Sequence, residues 1–161
     1  ILAAVTRCIP HPPNFTPIIA IGLFGGAYIQ NRSLAVLIPI AAMFLSDLFL
    51  GLHGTLYWVY SSMLLITSIG MLMMNRVTLK NCTIAVLSGS LLFFFITNFG
   101  VWFSSGYYSK NIAGLFTCYV MGLPFLGNTL IGSIFYSTVM FGGYEFLKRN
   151  MAKSVPEFIQ K

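Results

Sequence analysis

Charge is what this chain lacks. Only 7% of its 161 residues are Asp, Glu, Lys or Arg, against 57% hydrophobic. Soluble domains carry roughly 25% charged residues, and a protein of this size with so few could not cover its surface with polar groups. A water-soluble enzyme is therefore excluded. Disorder is excluded too, because 16% of the residues are aromatic and the apolar runs are long. Cysteine is scarce: Cys8, Cys82 and Cys118 are odd in number and widely spaced, so they read as small apolar packers without a disulfide framework or zinc site. Missing as well are a phosphate-binding Gly-x-x-x-x-Gly-Lys-Ser/Thr loop, a Gly-x-Ser-x-Gly, a His-Glu-x-x-His and any close pair of carboxylates. Those gaps rule out an ATPase and leave no enzyme constellation. What remains is an all-α integral membrane protein without a cofactor.

Apolar runs divide at prolines, glycines and short polar turns. Residues 1–9 read as the end of a first span, stopped by Pro10, Pro12 and Pro13. Pro17 can begin the next helix, since the first turn needs no proline N–H. Further spans are expected at 17–30, 34–51, 56–74 and 82–103. The last apolar stretch is too long for one span, and Gly122 and Pro124 divide it into a short helix or re-entrant segment at 113–121 and a final helix at 124–147. The expectation is a single transmembrane domain over 1–161, a six-span helical bundle with its first span truncated. The start at Ile1, without methionine, implies residues upstream.

The basic residues orient such a bundle. Arg32, Arg76, Lys80, Lys148, Arg149, Lys153 and Lys161 fall at one set of helix ends, and only Arg7 and Lys110 at the other. The net charge of +6 is thus spread in ones and twos at span ends, an orientation signal rather than a nucleic-acid surface. The positive-inside bias places both termini in the cytoplasm.

That orientation collects polar side chains at the outer ends, where membrane depth makes them costly unless they pair or line a cavity. His11 and Asn14 sit in a proline-stiffened loop that either lids a pocket or caps neighbouring helices. Asp47 either orients a ligand or cation, or forms an interhelical pair with Arg7 or His53. Tyr57, Trp58, Tyr60, Trp102, Tyr107 and Tyr108 either anchor at the interface or wall a site for a flat ligand. Asn98 and Trp102 are one turn apart and share a helix face, so both can reach one cavity. Asn128 lies near the start of the last helix. His11, His53, Asp47 and Cys118 could in principle gather round a transition metal, but no ligand spacing supports it and no metal is assigned. Gly22 and Gly26 form a Gly-x-x-x-Gly pair, explained by close helix packing or by a face that slides against a coupling subunit.

The segment from Arg7 to Pro17, then Ala20 and Leu23 to Ala27, resembles an uncharacterised family of small bacterial membrane proteins defined by a domain of unknown function (DUF6580-like). The likeness continues through Ser46-Asp47, Gly51, His53, Thr97-Asn98-Phe99, Trp102, Gly114, Cys118-Tyr119, Pro124-Phe125, Asn128-Thr129-Leu130 and Phe141-Gly142. One departure is Ser133, where relatives often carry Asp after the glycine. In size, span layout and outward polar motifs the family is architecturally similar to the substrate-binding S components of energy-coupling-factor vitamin transporters.

That likeness implies a bacterial inner-membrane protein that takes up a vitamin-like micronutrient from an outward pocket, with a separate coupling subunit and ATPases as partners. The expected ligand site comprises Arg7, His11, Asn14, Asp47, His53, Asn98, Trp102, Tyr107, Tyr108 and Asn128. The other expectation is a non-catalytic accessory subunit that packs in the bilayer against a larger membrane complex.

Overall fold

A computed structural model describes residues 11–51 and 54–154. Its helices are α1 (Ile18–Tyr28), α2 (Arg32–Leu50), α3 (Leu56–Leu72), α4 (Leu79–Ser104), α5 (Ile112–Ser137) and α6 (Gly143–Ser154), with a π turn, Thr138–Gly142, joining the last two. No strand occurs among the described residues. Among the described residues, three helices are long and apolar enough to cross a membrane: Arg32–Leu50, Leu79–Ser104 and the continuous run Ile112–Met151. Helices α1 and α3 are apolar but shorter. The first span expected at 1–9 lies outside the described residues, as do Arg7 and His53.

The shortest of the described α-helices is the central one. α1 has 11 residues, and nine of them are buried. A helix apolar on every side can only be stable when surrounded, and α1 packs on α3 above all, then on α2, α5 and α4. Glycine permits the approach. A Cβ on Gly26 would lie 2.7 Å from the Met71 nitrogen and collide with the Thr67 carbonyl, and a Cβ on Gly70 would meet the Leu23 backbone. Small residues on both surfaces bring the backbones together, as van der Waals association within lipid requires.

Local chemistry sets the other helix ends. The Asn31 side chain accepts from the Ser33 and Leu34 N–H groups at 3.0 and 3.2 Å, starting α2. α2 stops where Gly51 takes φ 96°, a left-handed conformation that needs no Cβ. Asn111 starts α5 by accepting from Gly114 N–H at 2.8 Å. Lys110 closes α4, its ammonium donating to the carbonyls of Trp102, Phe103 and Ser105. α2 lies at the edge of the bundle, on α1 and α3, and leaves Leu37, Ile38, Phe44, Leu48 and Phe49 exposed, a face suited to lipid.

Two proline helices depart from what soluble-protein rules suggest. Pro39 sits buried within α2 against Gly25; the Ala35 carbonyl, denied its usual N–H by the proline, faces Gly25 there, 3.3 Å from where a Cβ would stand. Pro124 stands inside α5, which runs unbroken through Gly122. The expected division into a segment at 113–121 and a helix at 124–147 is therefore corrected to one long helix. With no water to satisfy a broken backbone, a membrane helix loses less by passing through proline than by ending at it.

Candidate functional site

The loop before α1 is the origin of the site. Asn14 holds φ 63°, a left-handed conformation that asparagine tolerates better than most residues, and the Phe15 N–H donates to the Pro12 carbonyl at 3.0 Å. This irregular segment lies against the middle of α5. Asn128 Nδ2 donates to the Pro13 carbonyl at 3.0 Å, and Phe15 rests on Phe135 and Tyr136 with ring centroids 6.0 and 5.6 Å away. A Cβ on Gly132 would come within 3.1 Å of the Phe15 Cα, so this glycine too is a seat for the loop.

Between the loop, the start of α3, the C-terminal half of α4 and α5 lies a cavity of about 470 Å³. Its polar wall comes from His11, Asn14, Thr16, Thr55, Thr97, Asn98 and Tyr108, and its apolar wall includes Ile18, Val59, Phe93, Val101 and Phe125. Among the described residues, no Asp, Glu, Lys or Arg contributes to this lining. α1 begins at the wall, at Pro17 and Ile18, without a side-chain cap, so its first N–H groups have no acceptor within the helix. Asn98 is held from two directions: its Nδ2 donates to the Phe94 carbonyl at 2.9 Å, and its amide lies so close to Gly122 that a Cβ there would be 2.9 Å from Cγ. Cys118 Sγ donates to the Asn98 carbonyl at 3.3 Å, and Tyr119 Oη to the Phe95 carbonyl at 3.0 Å, fastening α5 to α4 behind the cavity.

The expected site residues divide accordingly. His11, Asn14, Asn98 and Tyr108 come together at the cavity. Trp102 shares a helix face with Asn98 but stays outside the lining: its Nε1 donates to the Ser109 carbonyl at 2.9 Å, and Lys110 lies over its ring at 5.6 Å. Tyr107 is 86% exposed and lies outside the lining. Asn128 supports the loop from behind. Trp58 packs across α4 beside Gly100 and donates to Ser104 Oγ at 2.9 Å. The residues not foreseen are Thr16, Thr55, Thr97 and Gly122; for Gly122 a signal existed, since Gly114, Cys118 and Gly122 form a small-residue stripe at four-residue spacing.

Asp47 lies outside this lining. It is 1% exposed, and Tyr60 Oη donates to its Oδ2 at 2.8 Å, joining α2 to α3. Removing one partner of a buried polar pair costs about 1–3 kcal/mol. Tyr60→Phe is therefore expected to lower the thermal unfolding midpoint in detergent while leaving cavity occupancy unchanged; an unchanged midpoint would show that the bond contributes nothing.

Fold and cavity together define a helical membrane protein with a polar-lined chamber beneath an irregular, proline-rich loop. The chain belongs to DUF6580, a family of unknown function, which matches residues 1–156. No curated protein matches it, and neither does any solved structure.

Proposed function

We propose that the cavity binds a small, largely uncharged, ring-bearing molecule on the outer side of a bacterial inner membrane, and that the protein serves as the substrate-binding component of an uptake system. The observation that carries this reading is the irregular segment that leads into α1. Irregular backbone within a membrane protein is tolerated where it is buried in protein or lines a cavity. Here the loop containing His11 and Asn14 opens directly into 470 Å³, a volume within the usual range for small-molecule sites.

The lining suggests the ligand's character. Without a formal charge in the described wall, a strongly charged molecule would be poorly stabilised there. Amide, hydroxyl and imidazole groups together with uncapped N–H groups favour carbonyl, hydroxyl or ring-nitrogen acceptors, while Phe93 and Phe125 suit a flat apolar body. Energy for uptake would come from a coupling subunit and ATPases, as the resemblance to energy-coupling-factor S components implies. Both termini would then be cytoplasmic.

Mass spectrometry of molecules released from the protein, purified in mild detergent and then denatured, tests the proposal. The expected result is one organic molecule at near one-to-one ratio, reduced at least tenfold in Val101→Phe, which puts a bulky ring into the cavity from its apolar wall. If no molecule distinguishes the two proteins and both purify within a large complex free of ATPases, the accessory-subunit reading replaces this one.

A further inference from the structure

A second cavity, of about 460 Å³, lies between the first turns of α4 and the π turn that joins α5 to α6. Thr83 of α4 lines this one and Thr97 lines the other, and the intervening helix separates them by about 20 Å. The two cavities thus occupy opposite ends of the bundle. π turns are rare and frequently accompany functional sites, and Phe141 within this one forms part of the wall.

The wall combines three kinds of group. Val86, Leu87 and Phe141 are apolar. Ser137 is 6% exposed, and its hydroxyl has no hydrogen-bond partner among the described residues, an arrangement costly enough to call for one. Glu145 and Arg149 are one helical turn apart on the same face of α6 and both line the cavity. Glu145 is anchored by Tyr28 Oη, which donates to its Oε1 at 2.7 Å, and Arg149 is exposed at the rim.

We propose that this cavity holds a zwitterionic phospholipid, its ammonium on Glu145, its phosphate on Arg149, a glycerol ester oxygen on the Ser137 hydroxyl, and an acyl chain along Val86, Leu87 and Phe141. Two opposite charges held about one 5.4 Å turn apart match a headgroup that carries both. Guanidinium is well suited to a phosphate, which it can engage through two parallel hydrogen bonds. An anionic lipid could still place its phosphate on Arg149 but would bring no ammonium to the Glu145 carboxylate, so the pair favours a headgroup that carries both charges. The position agrees, because Arg76, Lys80 and Lys148 also gather at the helix ends on this side of the chain, where headgroups lie.

Native mass spectrometry of the full chain in nanodiscs of equal phosphatidylethanolamine and phosphatidylglycerol tests the assignment. The wild type is expected to retain phosphatidylethanolamine at least fivefold over phosphatidylglycerol. Glu145→Gln keeps an acceptor for Tyr28 and should reduce that preference at least threefold; Arg149→Gln, at an exposed position, should lower retention of both lipids. Val101→Phe, in the other cavity, should retain lipid as the wild type does, which separates this test from that of the uptake reading. Retention in proportion to the bilayer composition, or an unaltered preference in both variants, would overturn the proposal. So would displacement of the lipid by water-soluble phosphoethanolamine, which would reassign the site to a soluble zwitterion.

Discussion

Gly26→Val is expected to prevent the bundle from assembling. Even alanine at this position would bring its Cβ to 2.7 Å from the Met71 nitrogen and 2.8 Å from the Gly70 carbonyl carbon, with the Thr67 oxygen nearer still. These are backbone atoms, which cannot turn aside as a side-chain terminus could. Overpacking typically costs 1–3 kcal/mol where side chains can shift, so about 3 kcal/mol or more is expected for alanine here and a larger loss for valine. The damage would spread, because α1 is the helix on which α2, α3, α4 and α5 all pack. The measurement is the monodisperse yield and unfolding midpoint in detergent, with Gly127→Val as the comparison. Gly127 lies within a helix, and a Cβ there meets nothing within 4 Å, so its variant should behave almost as the wild type. Gly70→Ala, on the facing helix, should reproduce the defect because its Cβ would meet the Leu23 backbone. Wild-type behaviour of Gly26→Ala and Gly70→Ala together would contradict the contact.

The difference between Gly26 and Gly122 illustrates what a sequence can disclose here. Gly22 and Gly26 were legible as a packing pair because spacing alone puts them on one helix face. Gly70, which lies against Gly26, was not, since nothing local identifies which surface faces a given helix. At Gly122 the local rule misled: glycine and proline close together read as a break, whereas lipid keeps α5 continuous through both. Asp47 shows the same limit in another form. Its isolation in an apolar run announces that a partner must exist, but Tyr60, which supplies one bond, reads from sequence only as an interfacial anchor or a wall for a flat ligand, because its relation to Asp47 depends on how α2 and α3 turn towards each other. The cavity's loop was legible for a physical reason: prolines and an Asn in a left-handed conformation cannot continue a helix, so polar backbone had to be accommodated somewhere. Which of Trp102 and Tyr108 would face it depended on the turn between α4 and α5, where Ser109 and Lys110 engage Trp102 and leave Tyr108 at the wall.

Gly122→Ala is expected to abolish ligand retention in the cavity while leaving the bundle folded. The new methyl would stand 2.9 Å from Asn98 Cγ and 3.1 Å from Nδ2, closer still to the amide oxygen, and so the Asn98 side chain must move. Unlike the backbone around Gly26, a side-chain amide can rotate, at the expense of its 2.9 Å bond to the Phe94 carbonyl. A loss of about 1 kcal/mol in stability is expected from that bond, together with at least a tenfold loss of bound molecule, equivalent to about 1.4 kcal/mol. Asn98→Ala alone removes the amide without the methyl. The double variant Gly122→Ala, Asn98→Ala then distinguishes the two consequences, because residues in contact do not contribute additively. Its methyl fits the space the amide vacated, so stability should return toward that of Asn98→Ala. Ligand retention should stay low, because the amide that would bind the molecule is gone. Recovery of both stability and retention in the double variant would assign Asn98 to the scaffold and leave the polar contacts of the cavity to His11, Thr97 and Tyr108.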